Sequence, residues 1–436
     1  MAAGAIHTLQ SAAREPLHCV IICANKPTHS ELGALASFPP NVDVHIGDHP
    51  VPGPASLEAG DAIERAVHNV QRGDVAMVLL SGGTTSLAAA PVAALSQAVG
   101  DVERAQTRIA NLADTLLESG LAIHEMNAIR RRVLRWGAGR LAVALEARGV
   151  IAIPVFAISD VIGDDPAVIG SGPCSADPLD DATFLALLDA HNVRSSLERD
   201  MSAFLGLSGS GAPPAVPAQS HAAFDLVQYT IVAQNADAVA ALAKEARRAG
   251  ITRVLVETSA LQGEAAQLGH ELARRAVAEA TDLPGRESAL FVLGGEPVVH
   301  LRDTYQQAFD ASDADDEDAV AQPSGDEPMA GGRMQVLALS ASLALEEAAA
   351  RGEYDARRVT LLAAGTDGRD GPTDAAGAIV DALVPALARR AGRQPERDLL
   401  TGRSWFPLDA AGALLRTGPT GTNVMDVVAV LIAPRS

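Results

Sequence analysis

Four groups of residues combine types and spacing that can do chemistry. The first is Ser81-Gly82-Gly83-Thr84-Thr85-Ser86, directly after the apolar run Val75–Leu80. Small residues at the C-terminal end of a strand let the backbone approach a ligand closely. Free N–H groups and hydroxyls there suit phosphate or a sugar acid, although a plain turn uses the same residues. The second is Asn127-Ala128-Ile129-Arg130-Arg131-Arg132 with Arg135 and Arg140, a dense cation cluster. Guanidinium forks bind carboxylate or phosphate bidentately, and some of these arginines must also be solvated helix face. The third is Ser159-Asp160-Val161-Ile162-Gly163-Asp164-Asp165 with Gly170-Ser171-Gly172-Pro173 behind it. Asp160, Asp164 and Asp165 at a strand exit can hold Mg²⁺ beside nucleotide oxygens, accept a substrate proton, or cap a helix. Two glycines and a proline within four residues predict a tightly shaped loop.

The fourth group lies in the second half. It comprises Gly294-Gly295-Glu296, Gly332-Arg333-Met334-Gln335, the run Gly365-Thr366-Asp367-Gly368-Arg369-Asp370-Gly371-Pro372-Thr373-Asp374, and Thr417-Gly418-Pro419-Thr420-Gly421-Thr422-Asn423. Each is Gly-rich, polar and next to an expected strand or helix. Turns explain any one of them; four together favour a shared ligand edge, which open α/β sheets place at the C-terminal ends of their strands. Glu296, Thr366, Asp367, Gly368, Asp370, Thr420 and Asn423 are the binding candidates there. Asn235, immediately before an expected helix, joins them.

The elements that must position these groups read as α/β with largely parallel sheets, because short apolar runs alternate with longer Ala/Leu/Glu/Arg segments. Expected strands are Cys19–Cys23, Val42–Ile46, Val75–Leu80, Val150–Ser159, Tyr229–Ala233, Thr252–Val256, Leu290–Leu293, Val298–Leu301, Arg358–Ala363 and Val427–Ile432. Expected helices are Leu57–Gln71, Val102–Glu118, Ala138–Ala147, Ala236–Ala249, Gly263–Ala280, Met334–Ala350 and Ala375–Arg390. The Gly/Pro/Ser-rich stretch Gly206–Ser220 reads as a linker, which gives domains at 1–208 and 223–436 joined by 209–222. Asp303–Gly332 has an acidic centre almost without large apolar residues and reads as a mobile surface insertion without the EF-hand pattern.

At 436 residues and 48% apolar composition the chain can bury sizeable cores, but aromatics are only 3%, so those cores rest on Ala, Val, Leu and Ile. A formal charge of −20 argues against nucleic-acid binding, which needs a basic face. The two lysines, Lys26 and Lys244, do not follow glycine, which excludes a Walker A loop. Cys19, Cys23 and Cys174 have neither disulfide-framework nor zinc spacing, and Cys19 and Cys23 are expected to face one core. Gly137-Ala138-Gly139-Arg140-Leu141-Ala142 formally matches GxGxxA, yet no strand precedes it. No signal segment and no apolar run of about 18 residues is present, so the expectation is a cytoplasmic protein without membrane contact.

In their order, ISDVIGDD…GSGP, GGE, GGRxQ, GTDGRDGPTDAAGA and TGPTGTNV resemble the type-2 glycerate kinases, whose C-terminal half is called MOFRL. The resemblance runs from about Val42 to Pro434, apart from the acidic insertion, and includes GDHPVPGPASLEA at Gly47–Ala59. It implies two α/β domains with an active site in the cleft between them. It also implies ATP- and Mg²⁺-dependent phosphorylation of D-glycerate to 2-phosphoglycerate, or of a related hydroxy acid. Some homologues have been labelled hydroxypyruvate reductases, and a degenerate binding protein with little turnover is the other alternative. On this reading Asp160, Asp164 and Asp165 would attend Mg²⁺, Asp160 would accept the hydroxyl proton, and Arg130 and Arg333 would clamp the carboxylate or the phosphoryl group. Family members usually open with a strand and a Gly-Lys turn, which this sequence lacks; Arg131, Arg132 and Arg135 could substitute for its lysine, although a guanidinium holds its oxygens in a different geometry. A homodimer stays open as the assembly.

Overall fold

Short β-branched runs and Ala/Leu-periodic segments fold as alternating strands and helices. In the computed structural model, all residues are described except 13–16, 25–37, 50, 119–122, 191–215, 285, 300–328 and 436. The chain forms two compact units, Met1–Val232 and Ala233–Ser436. Lys26, most of the expected linker and the acidic centre of the expected insertion lie outside the described residues.

The first unit begins α1 (Ala2–Ala12), β1 (Cys19–Cys23), β2 (Val42–Ile46), α2 (Pro54–Asn69), β3 (Val78–Leu80), α3 (Thr84–Leu87), α4 (Ala93–Val99) and α5 (Val102–Glu118). It continues with α6 (Ile123–Val133), α7 (Arg140–Ala147), β4 (Ile153–Ile158), α8 (Asp181–Ala190) and β5 (Val227–Ala233). β1 and β2 pair in parallel, with Cys19 opposite Val42. Both cysteines are only half-buried, so the shared core expected for them is partial. A second sheet has the order β3-β4-β5, and its β3–β4 pair is parallel, with Leu80 opposite Ala157. Val155, Ile153, Leu141, Leu145, Val67 and Ala223 form one core under it. Because Ala223 packs in that core and β5 joins that sheet, the boundary expected at 223 moves to 233.

The second unit contains α9 (Asn235–Arg248), β6 (Arg253–Val256), α10 (Ala265–Asp282), β7 (Ala289–Gly295), α11 (Arg333–Ala350), β8 (Val359–Gly365) and β9 (Gly377–Val380). It ends with α12 (Val384–Arg390), α13 (Pro395–Leu400), α14 (Trp405–Ala410), β10 (Leu414–Leu415) and β11 (Asp426–Ile432). Its six-stranded sheet has the order β10-β9-β8-β11-β7-β6. β6–β7 is parallel, whereas β11 runs antiparallel to both β7 and β8, and β9 antiparallel to β8 and β10. The α/β class therefore holds, with the largely parallel expectation met in the first unit's registered pairs and at β6–β7. Two elements differ from expectation. Ala375–Arg390 is not one helix: Ile379 and Val380 fill β9, and Asp381 Oδ1 accepts from Leu383 N (2.8 Å) where the chain turns into α12. Of the expected strand Val298–Leu301, residues 300 and 301 lie outside the described residues, and Val298 makes an isolated bridge to Glu264.

Every residue of β7 is buried, as expected for a strand covered on both faces. Among the described residues no helix is long and apolar enough to cross a membrane. The unit's main core joins β7, β8 and β11 to α10 and α11 through Leu272, Ala276, Phe291, Leu337, Leu345 and Val430. With few aromatics, density comes from close backbone approach. Gly269 on α10 lies so near the carbonyl of Leu337 on α11 that a Cβ there would overlap it. Gly269→Ala is therefore expected to lower unfolding free energy by about 1–3 kcal/mol, the overpacking cost exceeding the gain of about 1 kcal/mol in helix propensity. Urea denaturation followed by circular dichroism checks it; an unchanged or raised stability would show that α10 and α11 can separate without loss.

Candidate active site

In the first unit, the parallel pairing of β3 and β4 brings two of the predicted groups together at the C-terminal ends of the strands. Ser81–Ser86 leaves β3, and Ser159–Asp165 leaves β4. Gly82 lies directly on the Asp160 carboxylate, so that a Cβ there would displace the carboxylate from its present position. Gly83 has φ +82° and opens α3; Thr84 Oγ1 then donates to Ser81 O at 2.8 Å. Ser86 N bonds back to Gly83 O (3.1 Å). His49, in the loop before α2, is 3.3 Å from the position a Gly83 Cβ would take. Asp48 in that same loop accepts from Ala55 N (2.9 Å) and Ser56 N (3.3 Å), which caps α2. Thr85 Oγ1 bonds to Ser171 Oγ at 2.6 Å, linking the loop to the Gly170–Pro173 turn.

The three aspartates divide. Asp160 faces the Gly82 backbone. Asp164 adopts φ +55°, and its Oδ1 is buried without a hydrogen-bond partner. Asp165 Oδ1 accepts from Ala167 N (2.9 Å), the bond expected of the capping alternative. Among the described residues no three His, Cys, Asp or Glu side chains form a ready-made metal cluster. Mg²⁺ commonly uses only one or two protein carboxylates and takes its other oxygens from phosphate and water.

The arginine run is mostly structural. Arg131 Nη2 and Arg132 Nε grip the two oxygens of buried Asp177 at 2.7 and 2.9 Å. Arg132 also reaches Asp181 (2.6 Å), and Arg131 Nη1 donates to Ala167 O (3.2 Å). Arg135 pairs with Asp61 and Glu64. Arg140 donates to the carbonyls of Arg131, Arg132, Leu134 and Gly137, and burial followed by the charge of Arg132 pushes its pKa down to about 10. The possibility that Arg131, Arg132 or Arg135 replaces a family lysine loses ground, because these cations are paired with carboxylates within the fold. Arg130 stands in α6 beside them.

In the second unit the sheet register gathers the fourth group. Asp426 at the start of β11 lies opposite Gly295 on β7 and Gly365 on β8. Glu296 and the Thr366–Asp370 loop thus leave the same sheet edge. Arg333, the first residue of α11, donates from Nε and Nη2 to the two Asp426 oxygens (2.5 and 3.3 Å) and from Nη1 to Glu296 Oε1 (2.9 Å). Burial works against the Arg333 charge, but Asp426 outweighs it and holds the guanidinium protonated. Asp426 is pushed up to about 7 by burial, with Asp370 and Glu296 adding to the rise against the opposing pull of Arg333. Asp370 is pushed up to about 6, again by burial, although it accepts from Met334 N (3.1 Å) and Gln335 N (2.8 Å) as the cap of α11.

The other predicted residues of this unit fasten its loops. Thr366 Oγ1 donates to Met425 O (2.7 Å) and accepts from Val424 N (2.9 Å). Thr420 Oγ1 donates to Thr366 O (2.6 Å), and Thr420 N to Asp367 O (3.1 Å). Asp367 Oδ1 accepts from Arg369 N (3.0 Å), and Gly368 lies flat against Gly418 O, where a side chain would not fit. Asn423 Oδ1 accepts from Met425 N (3.0 Å), while Asn235 Nδ2 donates to Val424 O (2.8 Å) and Asp426 O (2.9 Å). Asn235, Thr366, Asp370, Thr420 and Asn423 therefore position the loops. Asp426 was missed by sequence reasoning; the signal available was a lone carboxylate opening the apolar run VVAVLI.

Comparison with known proteins follows the same division. Residues 1–206 match the family described as Domain of unknown function (DUF4147), and residues 289–426 match the MOFRL family. A D-glycerate 2-kinase of Thermotoga maritima is 30% identical over 94% of this chain and 84% of its own length. An Agrobacterium vitis protein with the provisional name hydroxypyruvate reductase is 32% identical over 95% of this chain and 87% of its own. The crystal structure of a Thermotoga maritima glycerate kinase superposes with a TM-score of 0.69 at 26% identity, covering 99% of this chain and 95% of that one.

The raised carboxyls fix a pH dependence. Folded Asp426 and Asp370, at about 7 and 6 against an ordinary 3.8, hold protons that the unfolded chain releases. Their contribution to stability is complete below about pH 3.8 and is lost as pH rises through 6 to 7. The melting temperature is thus expected to fall between pH 5 and 8, and Asp426→Asn to flatten that slope. Calorimetry across the range checks it; a melting temperature that rises over the window would refute it.

Proposed function

This chain belongs to the type-2 glycerate kinase family, and from that membership we propose that it phosphorylates D-glycerate, giving 2-phosphoglycerate, or a closely related hydroxy acid with ATP and Mg²⁺. The carrying observation is the Gly82 backbone seated on the Asp160 carboxylate at the C-terminal ends of two parallel strands. Asp160 accepts the proton of the substrate hydroxyl, whose oxygen attacks the terminal phosphorus as ADP leaves. Ser81, Gly82, Gly83, Thr84, Thr85 and Ser86 supply N–H groups and hydroxyls for the oxyanions of the bound substrates. Arg130, on α6, is assigned the substrate carboxylate, the role that the family resemblance implies for it. In the second unit, Arg333 is the cation suited to phosphate or carboxylate oxygens, steadied by Asp426.

The residues present fit Mg²⁺: the buried Asp164 Oδ1 has no hydrogen-bond partner and follows Asp160 by one turn. Asp160 and Asp164 would hold the ion, which would neutralise phosphate charge when bound. A cytoplasmic location and a small-molecule partner belong to the same proposal. The dinucleotide reading finds no support, because Gly137–Ala142 follows helix α6 and opens α7 without a preceding strand. A second reading, ligand binding with little turnover, is favoured by one fact: the arginines that could replace the family lysine are committed to internal carboxylates.

Asp160→Asn is expected to lower kcat for ADP release about 10²–10⁴-fold. A coupled assay with Mg²⁺-ATP and a panel of hydroxy acids measures it. Wild-type protein that binds nucleotide in a calorimeter yet releases no ADP with any acid would establish the second reading instead. Nicotinamide oxidation with hydroxypyruvate would overturn both.

A further inference from the structure

Gly170, Ser171 and Gly172 occupy three successive left-handed backbone positions, at φ +57°, +68° and +59°. The flanking glycines meet this geometry without strain, and each also lies where a Cβ would crowd Leu80, Thr84 or the carbonyl of Ala167. Ser171 has no such excuse. An L-residue pays for this conformation, and Ser171 carries none of the Asn or Asp chemistry that eases it. The surroundings enforce the turn: Ala138 N donates to Ser171 O (2.9 Å), Gly139 N to Gly172 O (2.7 Å), and Gly172 N to Ile169 O (3.0 Å). Ser171 is also 5% exposed, and its hydroxyl ends on Thr85 Oγ1 at 2.6 Å. A glycine would serve the backbone better; what serine adds is this one hydroxyl.

We infer that Ser171 is a positioning residue that pins Thr85, and through it the Ser81–Ser86 loop, in the conformation that receives an oxyanion ligand, at the cost of local backbone strain. The inference rests on the phosphotransfer reading only for what the loop binds. Pinning before binding removes part of the ordering cost that a ligand would otherwise meet. Loss of the hydroxyl should therefore weaken ligand capture and leave the chemical step largely intact. A merely structural role would instead lower the active fraction, and with it kcat, at constant KM.

The test uses the full chain in five forms: wild type, Ser171→Ala, Ser171→Gly, Thr85→Val and the Ser171→Ala/Thr85→Val double variant, which closes the cycle. Hydrogen exchange of the amides in residues 81–88 is expected to quicken several-fold in each single variant and no further in the double variant. Ser171→Gly should melt about 2–4 °C above Ser171→Ala, because only glycine releases the strain. In the ADP-release assay, KM for nucleotide and for hydroxy acid are both measured. One of them is expected to rise roughly fivefold in both Ser171 variants, with kcat within twofold of wild type, and which one rises identifies the oxyanion the loop holds. Unchanged exchange at 81–88 in Ser171→Ala would overturn the pinning, as would a fall in kcat at constant KM. Quickened exchange in a protein without phosphotransfer would keep the pinning and remove the kinase reading.

Discussion

A carboxylate carried out of water must find a cation or keep its proton, and that constraint organises both units of this chain. In the first, buried Asp177 draws Arg131 and Arg132 inward from the end of α6 and ties that helix to the segment after the Gly170–Pro173 turn. In the second, buried Asp426 draws Arg333 to the start of α11, while Asp370 caps the same helix end. One removed partner in such a pair leaves an uncompensated buried charge, a loss of about 3–5 kcal/mol. The pairs are thus more informative about where loops must sit than about net stability. Each fixes a glycine-rich loop that would otherwise have many conformations.

Glycine supplies the other half of the arrangement. Gly82 permits contact with Asp160, which a side chain would displace, and Gly368 permits contact with the carbonyl of Gly418, which leaves no room for one. A loop so placed is held by backbone proximity, with hydroxyls such as Thr366 and Thr420 closing the remaining bonds. Polar side chains near a ligand edge therefore split into two kinds. In the second unit Asn235, Thr366, Asp370, Thr420 and Asn423 are of the kind that holds the loop backbone.

That split explains what the sequence disclosed and what it hid. β1, β2 and α5 begin and end where apolar pattern placed them, since local periodicity suffices for isolated runs. Ala375–Arg390 misled because Ala-rich text carries a helical period whether or not Ile379 and Val380 are needed in a strand beside β8. The Gly-rich motifs marked the correct strand ends, yet the roles within them were not legible: Asp370, Asn235 and Asp165 look like ligands in one dimension and are caps or ties in three. Asp426 escaped because its importance comes from register, opposite Gly295 and Gly365, which no spacing along the chain reveals. The boundary near 223 failed for the same reason, as β5 is claimed by β4 across a long sequence separation.

The chemical identity of the cations carries the argument furthest. With two lysines in 436 residues, positive charge here is almost entirely guanidinium. A guanidinium stays charged and prefers two oxygens in a plane, so it is readily captured by an internal carboxylate. Arg131 and Arg132 show that capture on Asp177, and Arg333 shows it on Asp426. A lysine in the same position would be a mobile point charge, easier to lend to a transferring phosphoryl group. Arg333 differs from the captured pair in one respect: its Nη1 is on Glu296, which is 39% exposed, while its other side is anchored on Asp426, which is 4% exposed. The buried side fixes its direction and the half-exposed side is the one an incoming oxyanion can take. Under the proposed function, the cation offered to an oxyanion in the second unit is thus Arg333, a guanidinium that the fold has only half consumed.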